Sequence, residues 1–183
     1  MKKFFILAML ISSTAFAGGF GGVEYGVRDG VDGAADARAT KVTVGTNLND
    51  STKVDFSLRQ KTDTDNNLSD TRAEVGLTLS TPLFSGLSAY GRVAAGEKFK
   101  TSSDYGYYSV EPGIKYAVNN VLSVKAGWRY RNAFDSVNAD QTRTWRVGAE
   151  YALTKNYAVA LGWDRVRGDS EYNAINTALN FKF

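Results

Sequence analysis

The chain reads as all-β: an antiparallel up-and-down transmembrane β-barrel, with ten strands the leading count and eight or twelve the alternatives. Three observations carry this reading. Side chains alternate with a period of two, as in the closing segment, where Ile175, Thr177, Leu179, Phe181 and Phe183 are separated by Asn176, Ala178, Asn180 and Lys182. Strict alternation gives a strand with one apolar and one wet face. The pattern recurs about ten times, and no helix-period stretch interrupts it. Mean hydropathy is −0.28, too polar for a bundle of membrane helices but compatible with a barrel whose interior is wet.

Alternation places strands near 20–28, 39–48, 53–61, 71–81, 86–97, 106–117, 121–131, 142–152, 156–166 and 172–183. Their connections alternate between short (49–52, 82–85, 118–120, 153–155) and long and polar (29–38, 62–70, 98–105, 132–141, 167–171). Barrels of outer membranes keep short turns on the periplasmic side and longer loops outside, so both termini fall in the periplasm and the strand number is even. Two features strain the pattern. Pro112 sits mid-strand, where it donates no ladder hydrogen bond and suggests a bulge. The fifth strand carries Gly91 and several alanines on or near its outer face.

The N-terminus has Lys2 and Lys3, an apolar run from Phe4 to Ile11, and Ala15-Phe16-Ala17. These are the charged region, apolar region and small-residue cleavage site of an export signal. The run is too short for a spanning helix, which needs about 20 residues. Cleavage after Ala17 leaves residues 18–183 as one domain and takes the formal charge from +3 to +1 by removing two lysines. That balance argues against a nucleic-acid partner. The chain has no Cys and no His, which excludes disulfides, thiolate nucleophiles, His-based triads and Cys/His metal sites. No motif calls for an enzyme or a cofactor.

An internal repeat supports the strand–turn–strand plan. Gly113-Ile114-Lys115-Tyr116-Ala117 to Gly127-Trp128 has the same length as Gly148-Ala149-Glu150-Tyr151-Ala152 to Gly162-Trp163. It sets Tyr116 and Tyr151 before the periplasmic turns, and Trp128 and Trp163 near the far interface. With Tyr130 and Trp145 above, and Tyr157 and Phe183 below, these residues read as two aromatic girdles. The predicted outward faces comprise 42 positions without a charge, in a chain that is 22% charged. Hydrocarbon demands this, since Arg or Lys at the bilayer midplane costs about 2–4 kcal/mol.

Charges fall on the other parity. The basic set is Arg28, Lys41, Arg59, Arg72, Arg92, Lys115, Lys125, Arg129, Arg131, Arg146 and Lys182; the acidic set is Glu24, Asp55, Glu74, Glu111, Glu150 and Asp164. Strand direction puts Arg28, Lys41, Arg59, Arg72, Arg129 and Arg131 in the outer half, so the external mouth is expected to be basic. Inward glycines, among them Gly45, Gly76, Gly113 and Gly127, suggest clearings beside the long side chains. Ten strands give a backbone radius of about 10 Å, which accommodates either a narrow, anion-preferring pore or an interior closed by ion pairs. The carboxylates near the long connections read as solvated loop tips: Asp29, Asp32, Asp36, Asp63, Asp65, Asp70, Asp104, Asp135, Asp140, Asp169 and Glu171.

The whole pattern, with its C-terminal aromatic Phe183, resembles small Gram-negative outer-membrane β-barrel proteins. The resemblance implies residence in the outer membrane, contact with outer-membrane lipid and lipopolysaccharide, and recognition of Phe183 by the barrel assembly machinery. The Arg-rich stretch from Leu122-Ser123-Val124 through Arg129-Tyr130-Arg131 is similar to monomeric porins for acidic oligosaccharides. Those have twelve strands, and this chain is two short. OmpX-type and opacity barrels, with eight strands and adhesive loops, are the other likeness. The two functional expectations are therefore a narrow pore for small solutes and a filled barrel that acts through its loops.

Overall fold

In a computed structural model the described residues are 18–183, excepting 32–35, 65–68, 101–103, 136 and 138–139. The proposed export signal (1–17) and two of the loop carboxylates, Asp32 and Asp65, lie outside them. Ten strands form: β1 Gly19–Gly30, β2 Ala37–Asn47, β3 Thr52–Asp63, β4 Ser69–Phe84, β5 Leu87–Phe99, β6 Tyr105–Ala117, β7 Leu122–Ala133, β8 Thr142–Ala152, β9 Tyr157–Gly168 and β10 Tyr172–Lys182. Each pairs antiparallel with its sequence neighbours, and β1 pairs with β10 to close the barrel. Closure leaves no unpaired edge, as hydrocarbon requires.

Register fixes the dimensions. Following partners from Phe20 on β1 through Gly45, Asp55, Gly76, Ala94, Ser109, Arg131 and Thr142 leads to Gly168 on β9. Asp164, four residues below Gly168, is level through Ala174 with Arg28, eight residues above Phe20. One circuit therefore climbs 12 residues. For ten strands that shear gives a tilt of about 40° and a radius of about 10 Å.

The barrel is inside out relative to a soluble protein. Exposed apolar side chains lie on the outward parity, among them Val75, Leu79, Val93, Leu161 and Ile175, while Arg28, Arg72, Glu74, Glu111, Arg131 and Asp164 are buried. Buried charge and exposed aliphatic residues together specify a lipid-facing wall around a polar centre.

Pro112 differs from expectation. β6 and β7 pair at Val110↔Tyr130 and again at Gly113↔Gly127 in the same register. Pro112 thus removes local pairing without inserting a residue, and no bulge forms. The register shift falls instead between Pro82 and Phe84, where β4 runs past the predicted turn. The connection to β5 is then made by Ser85 and Gly86, the latter at φ +77°, a conformation that favours glycine. The fifth strand is continuous and paired along both edges.

Candidate functional site

The barrel interior divides into three levels, and the middle one is built from ion pairs. Arg92 donates through Nε and Nη2 to Asp55, at 3.2 and 2.7 Å, and through Nη1 to Glu74 at 2.8 Å. Glu74 also accepts from Arg129 Nη2 and, at 3.1 Å, from the Tyr107 hydroxyl. Across the barrel Arg146 joins Glu111 at 2.8 Å to Asp164 at 3.2 Å, and Arg59 approaches Glu24 at 3.9 Å. These side chains come from β1, β3, β4, β5, β7, β8 and β9, as well as β6. The alternation that keeps charge off lipid brings them to one level.

Two cavities flank this level and share no lining residue. The larger, about 370 Å³, opens toward the short turns and is lined by Lys53, Lys115, Lys125, Lys182, Glu150 and, at its top, Glu24, Lys41, Glu111, Arg146 and Asp164. The smaller, about 230 Å³, lies toward the long loops, between Arg28, Lys61, Arg72, Lys98, Arg131, Asp63, Asp70 and Tyr172. Asp55, Arg59, Glu74, Arg92 and Arg129 line neither. They form a septum between the two.

All seventeen charged residues singled out in the sequence as lumen-lining have inward parity, but they do different things. Asp55 is in the septum, held by two nitrogens of Arg92. Lys115 stands 3.7 Å from Glu150, whose other oxygen accepts from Asn180 at 2.9 Å. Arg28 lies over the Tyr172 ring at 4.5 Å. Arg72 is 3.7 Å from Asp70, and Arg131 reaches Asp140 at 2.8 Å. The eight girdle aromatics have outward parity. Tyr116, Trp145, Tyr151, Tyr157, Trp163 and Phe183 are exposed on the wall. Trp128 and Tyr130 are half-buried, because their rings stack on one another with centroids 6.3 Å apart.

Three expectations need correction. The glycine clearings are not open passage. A Cβ at Gly76 would collide with the Arg92 guanidinium, one at Gly113 with the Tyr90 ring, and one at Gly45 with Phe20. The glycines seat large inward side chains. Nor are all the loop carboxylates solvated tips. Asp70 is buried and Asp63 pairs with Lys61, because β3 and β4 run further toward the loop end than predicted; Asp140 is buried in the β7–β8 connection, where it accepts from Arg131 at 2.8 Å. Lys41, expected in the outer half, lines the top of the turn-side cavity, and below it Lys53, Lys115, Lys125 and Lys182 surround Glu150.

Sequence reasoning passed over Lys53, Lys61 and Lys98, and the inward rings of Phe20, Tyr90, Tyr105, Tyr107 and Tyr172. Parity alone would have found most of them: Lys53 alternates in step with Asp55, and Tyr90 with Arg92.

A family model described as Gram-negative porin matches residues 11–171. The chain belongs to that family. This porin is an outer-membrane channel for small solutes, with its long loops outside and its short turns in the periplasm. No curated protein matches its sequence. Among solved structures, it resembles an outer-membrane channel from Pseudomonas putida F1 (13% identity, TM-score 0.62, 93% of this chain and 97% of that one). It resembles the NanC porin (14%, 0.54, 89% and 100%) and the KdgM porin in complex with disordered oligogalacturonate (12%, 0.52, 88% and 99%). At these identities the likeness is one of fold.

Proposed function

We propose that this porin is a narrow, anion-preferring channel whose conductance is set by the septum of Asp55, Glu74, Arg59, Arg92 and Arg129. The supporting observation is the charge balance of the inward face. Adding Lys53, Lys61 and Lys98 to the eleven basic residues gives fourteen, and adding Asp63, Asp70, Asp140, Asp169 and Glu171 to the six acidic ones gives eleven. Two of the three surplus cations lie in the turn-side cavity and one in the septum, while the loop-side cavity with Asp140 is balanced. A low-dielectric wall around uncompensated cations focuses positive potential along the path and raises the local anion concentration.

Most of the spare hydrogen-bonding capacity has the same sign, with Asp140 Oδ2 and Asn176 Oδ1 as acceptors on the other side of the balance. Nε and Nη2 of Arg28, and Nε of Arg59, Arg72, Arg129 and Arg131, are buried with no acceptor among the described residues. Guanidinium N–H groups pair best with carboxylate or phosphate oxygens. Small organic anions are thus the solute class that the interior would lower in energy. The KdgM porin's oligogalacturonate is a polycarboxylate, and the same chemistry in shorter form suits this narrower barrel.

The filled-barrel reading draws on the septum and predicts no conductance at all. Planar-bilayer recording under a KCl gradient separates the two. We expect small steps, a reversal potential displaced toward that of chloride, and a reduced displacement when Lys53, Lys115, Lys125 and Lys182 are changed to Gln. Cation preference, or silent membranes with verified insertion, would overturn the proposal.

A further inference from the structure

Charge is scarce on the outward face, and where it occurs it clusters. Arg143 on β8 and Arg167 on β9 are direct cross-strand partners, and Arg165 lies two residues below Arg167, opposite Trp145. All three share the parity of Trp145 and Trp163, and thus point away from the interior; Arg143 and Arg167 are exposed and Arg165 is half-exposed. Like charges directly opposite on neighbouring strands repel. Among the described residues, none of the three makes an ion pair or hydrogen bond. Asp169, two residues beyond Arg167, accepts from the Gln141 backbone N–H at 2.6 Å. Three guanidinium groups therefore face the membrane side of the wall with no ion-pair partner among the described residues.

Their height is informative. Trp163 is two residues below Arg165 on β9, and Tyr130 is the partner of Arg143 across β7–β8. Two residues along a strand tilted about 40° climb about 5 Å. The cluster therefore stands just above the loop-side aromatic residues, where acyl chains give way to headgroups. That end of the barrel faces the outer leaflet. The geometry points to a binding site for the phosphorylated glucosamine headgroup of lipid A, with Arg143 and Arg167 clasping one phosphate, Arg165 reaching it from below, and the acyl chains lying along Val147, Leu161 and Trp163. Guanidinium forks match phosphate oxygens, and a dianionic group between Arg143 and Arg167 converts a repulsive pair into an attractive bridge. The site is independent of what passes through the lumen.

The test uses the full refolded barrel in detergent, with hexa-acylated bisphosphoryl lipid A, the same lipid after phosphatase treatment, and inorganic phosphate as probes. Bound lipid is counted by native mass spectrometry, and the unfolding temperature is followed. Bisphosphoryl lipid A is expected to bind and raise the unfolding temperature, while dephosphorylated lipid and inorganic phosphate do neither. An Arg143→Gln/Arg165→Gln/Arg167→Gln variant is expected to lose at least ten-fold in affinity, whereas Arg38→Gln, an outward arginine on β2, keeps wild-type binding. Equal binding of dephosphorylated lipid to the wild-type barrel would overturn the proposal without any variant. So would full retention in the triple variant, or an equal loss in Arg38→Gln. Should the triple variant fail to refold, Arg167→Gln alone, at an exposed strand end, carries the comparison, and unchanged affinity there counts against the site.

Discussion

The guanidinium group of Arg92 occupies the space that a Cβ at Gly76 would fill. From that seat it reaches Asp55 through two nitrogens and Glu74 through the third. The ion-paired septum thus depends on the absence of one methyl group on the adjacent strand. Gly76→Ala should push Arg92 off its fork and change conductance in the same direction as Arg92→Ala. Because both act through one contact, the double variant should behave like Arg92→Ala alone, not like the sum. Additive effects in single-channel recordings would show that Gly76 and Arg92 act separately.

Glu74 is buried and serves Arg92, Arg129 and Tyr107 at once. Glu74→Gln leaves two guanidinium groups facing each other with one fewer counter-charge. Removing one member of a buried ionic network costs about 3 kcal/mol. The variant should therefore unfold at lower denaturant while selecting anions more strongly. Denaturation in micelles and reversal potentials on one preparation check both. Lower stability without a gain in selectivity would place Glu74 outside the conducting path.

Ionic strength should separate the cavities from the septum. The lysines of the turn-side cavity surround an open, watered space, where the screening length falls from about 10 Å at 0.1 M salt to about 3 Å at 1 M. Septum pairs at 2.7–2.8 Å are too close to be screened. Anion preference should fall steeply between those salt concentrations in the wild type and weakly in the four-lysine variant. Equal slopes would remove the lysines from the account of selectivity.

The fold was legible because lipid imposes the same rule on every strand. Val75, Leu77 and Leu79 face out and Arg72, Glu74 and Gly76 face in, a statement that parity makes without coordinates. The strand number followed from counting such segments. The septum was not legible. Arg92 meets Asp55 on β3, 37 residues away, and Arg129 meets Glu74 55 residues away. Which inward residues share a level depends on the shear, and shear is a property of ten registers together. Asp70 escapes the sequence for a related reason, since β4 extends beyond the predicted span and carries loop-like composition inside the barrel, while Asp140 is a connection residue drawn inward by Arg131. Tyr90 and Tyr107 were missed because aromatic residues were sought only at the lipid interfaces, while glycines on neighbouring strands made room for them inside.

Leu161 stands on the wall between Tyr157 and Trp163 and is 58% exposed. Leu161→Arg should cost about 2–4 kcal/mol of folding free energy in bilayers, as expected for a guanidinium group near the midplane. Ala160→Ser, one residue away but facing the turn-side cavity, should cost little. Refolding into liposomes across a urea series measures both. Comparable losses at the two positions would mean that the assigned lipid face is wrong.

Phe183 finishes the closing seam, and we propose for it a second, separable role as the assembly signal. Its ring covers Gly19, and its backbone N–H donates to the Gly19 carbonyl at 3.0 Å. That seam already holds eleven residue pairs between β1 and β10, and losing one terminal contact should hardly affect a barrel refolded in detergent. The proposed recognition by the barrel assembly machinery would have no such redundancy, because the terminal aromatic would be the feature read. Phe183→Ala should therefore lower the folded, heat-modifiable fraction in outer membranes several-fold while leaving the in-vitro refolding yield near wild type. Parallel losses in both assays would make Phe183 a packing residue and would remove the reason to regard it as an assembly signal.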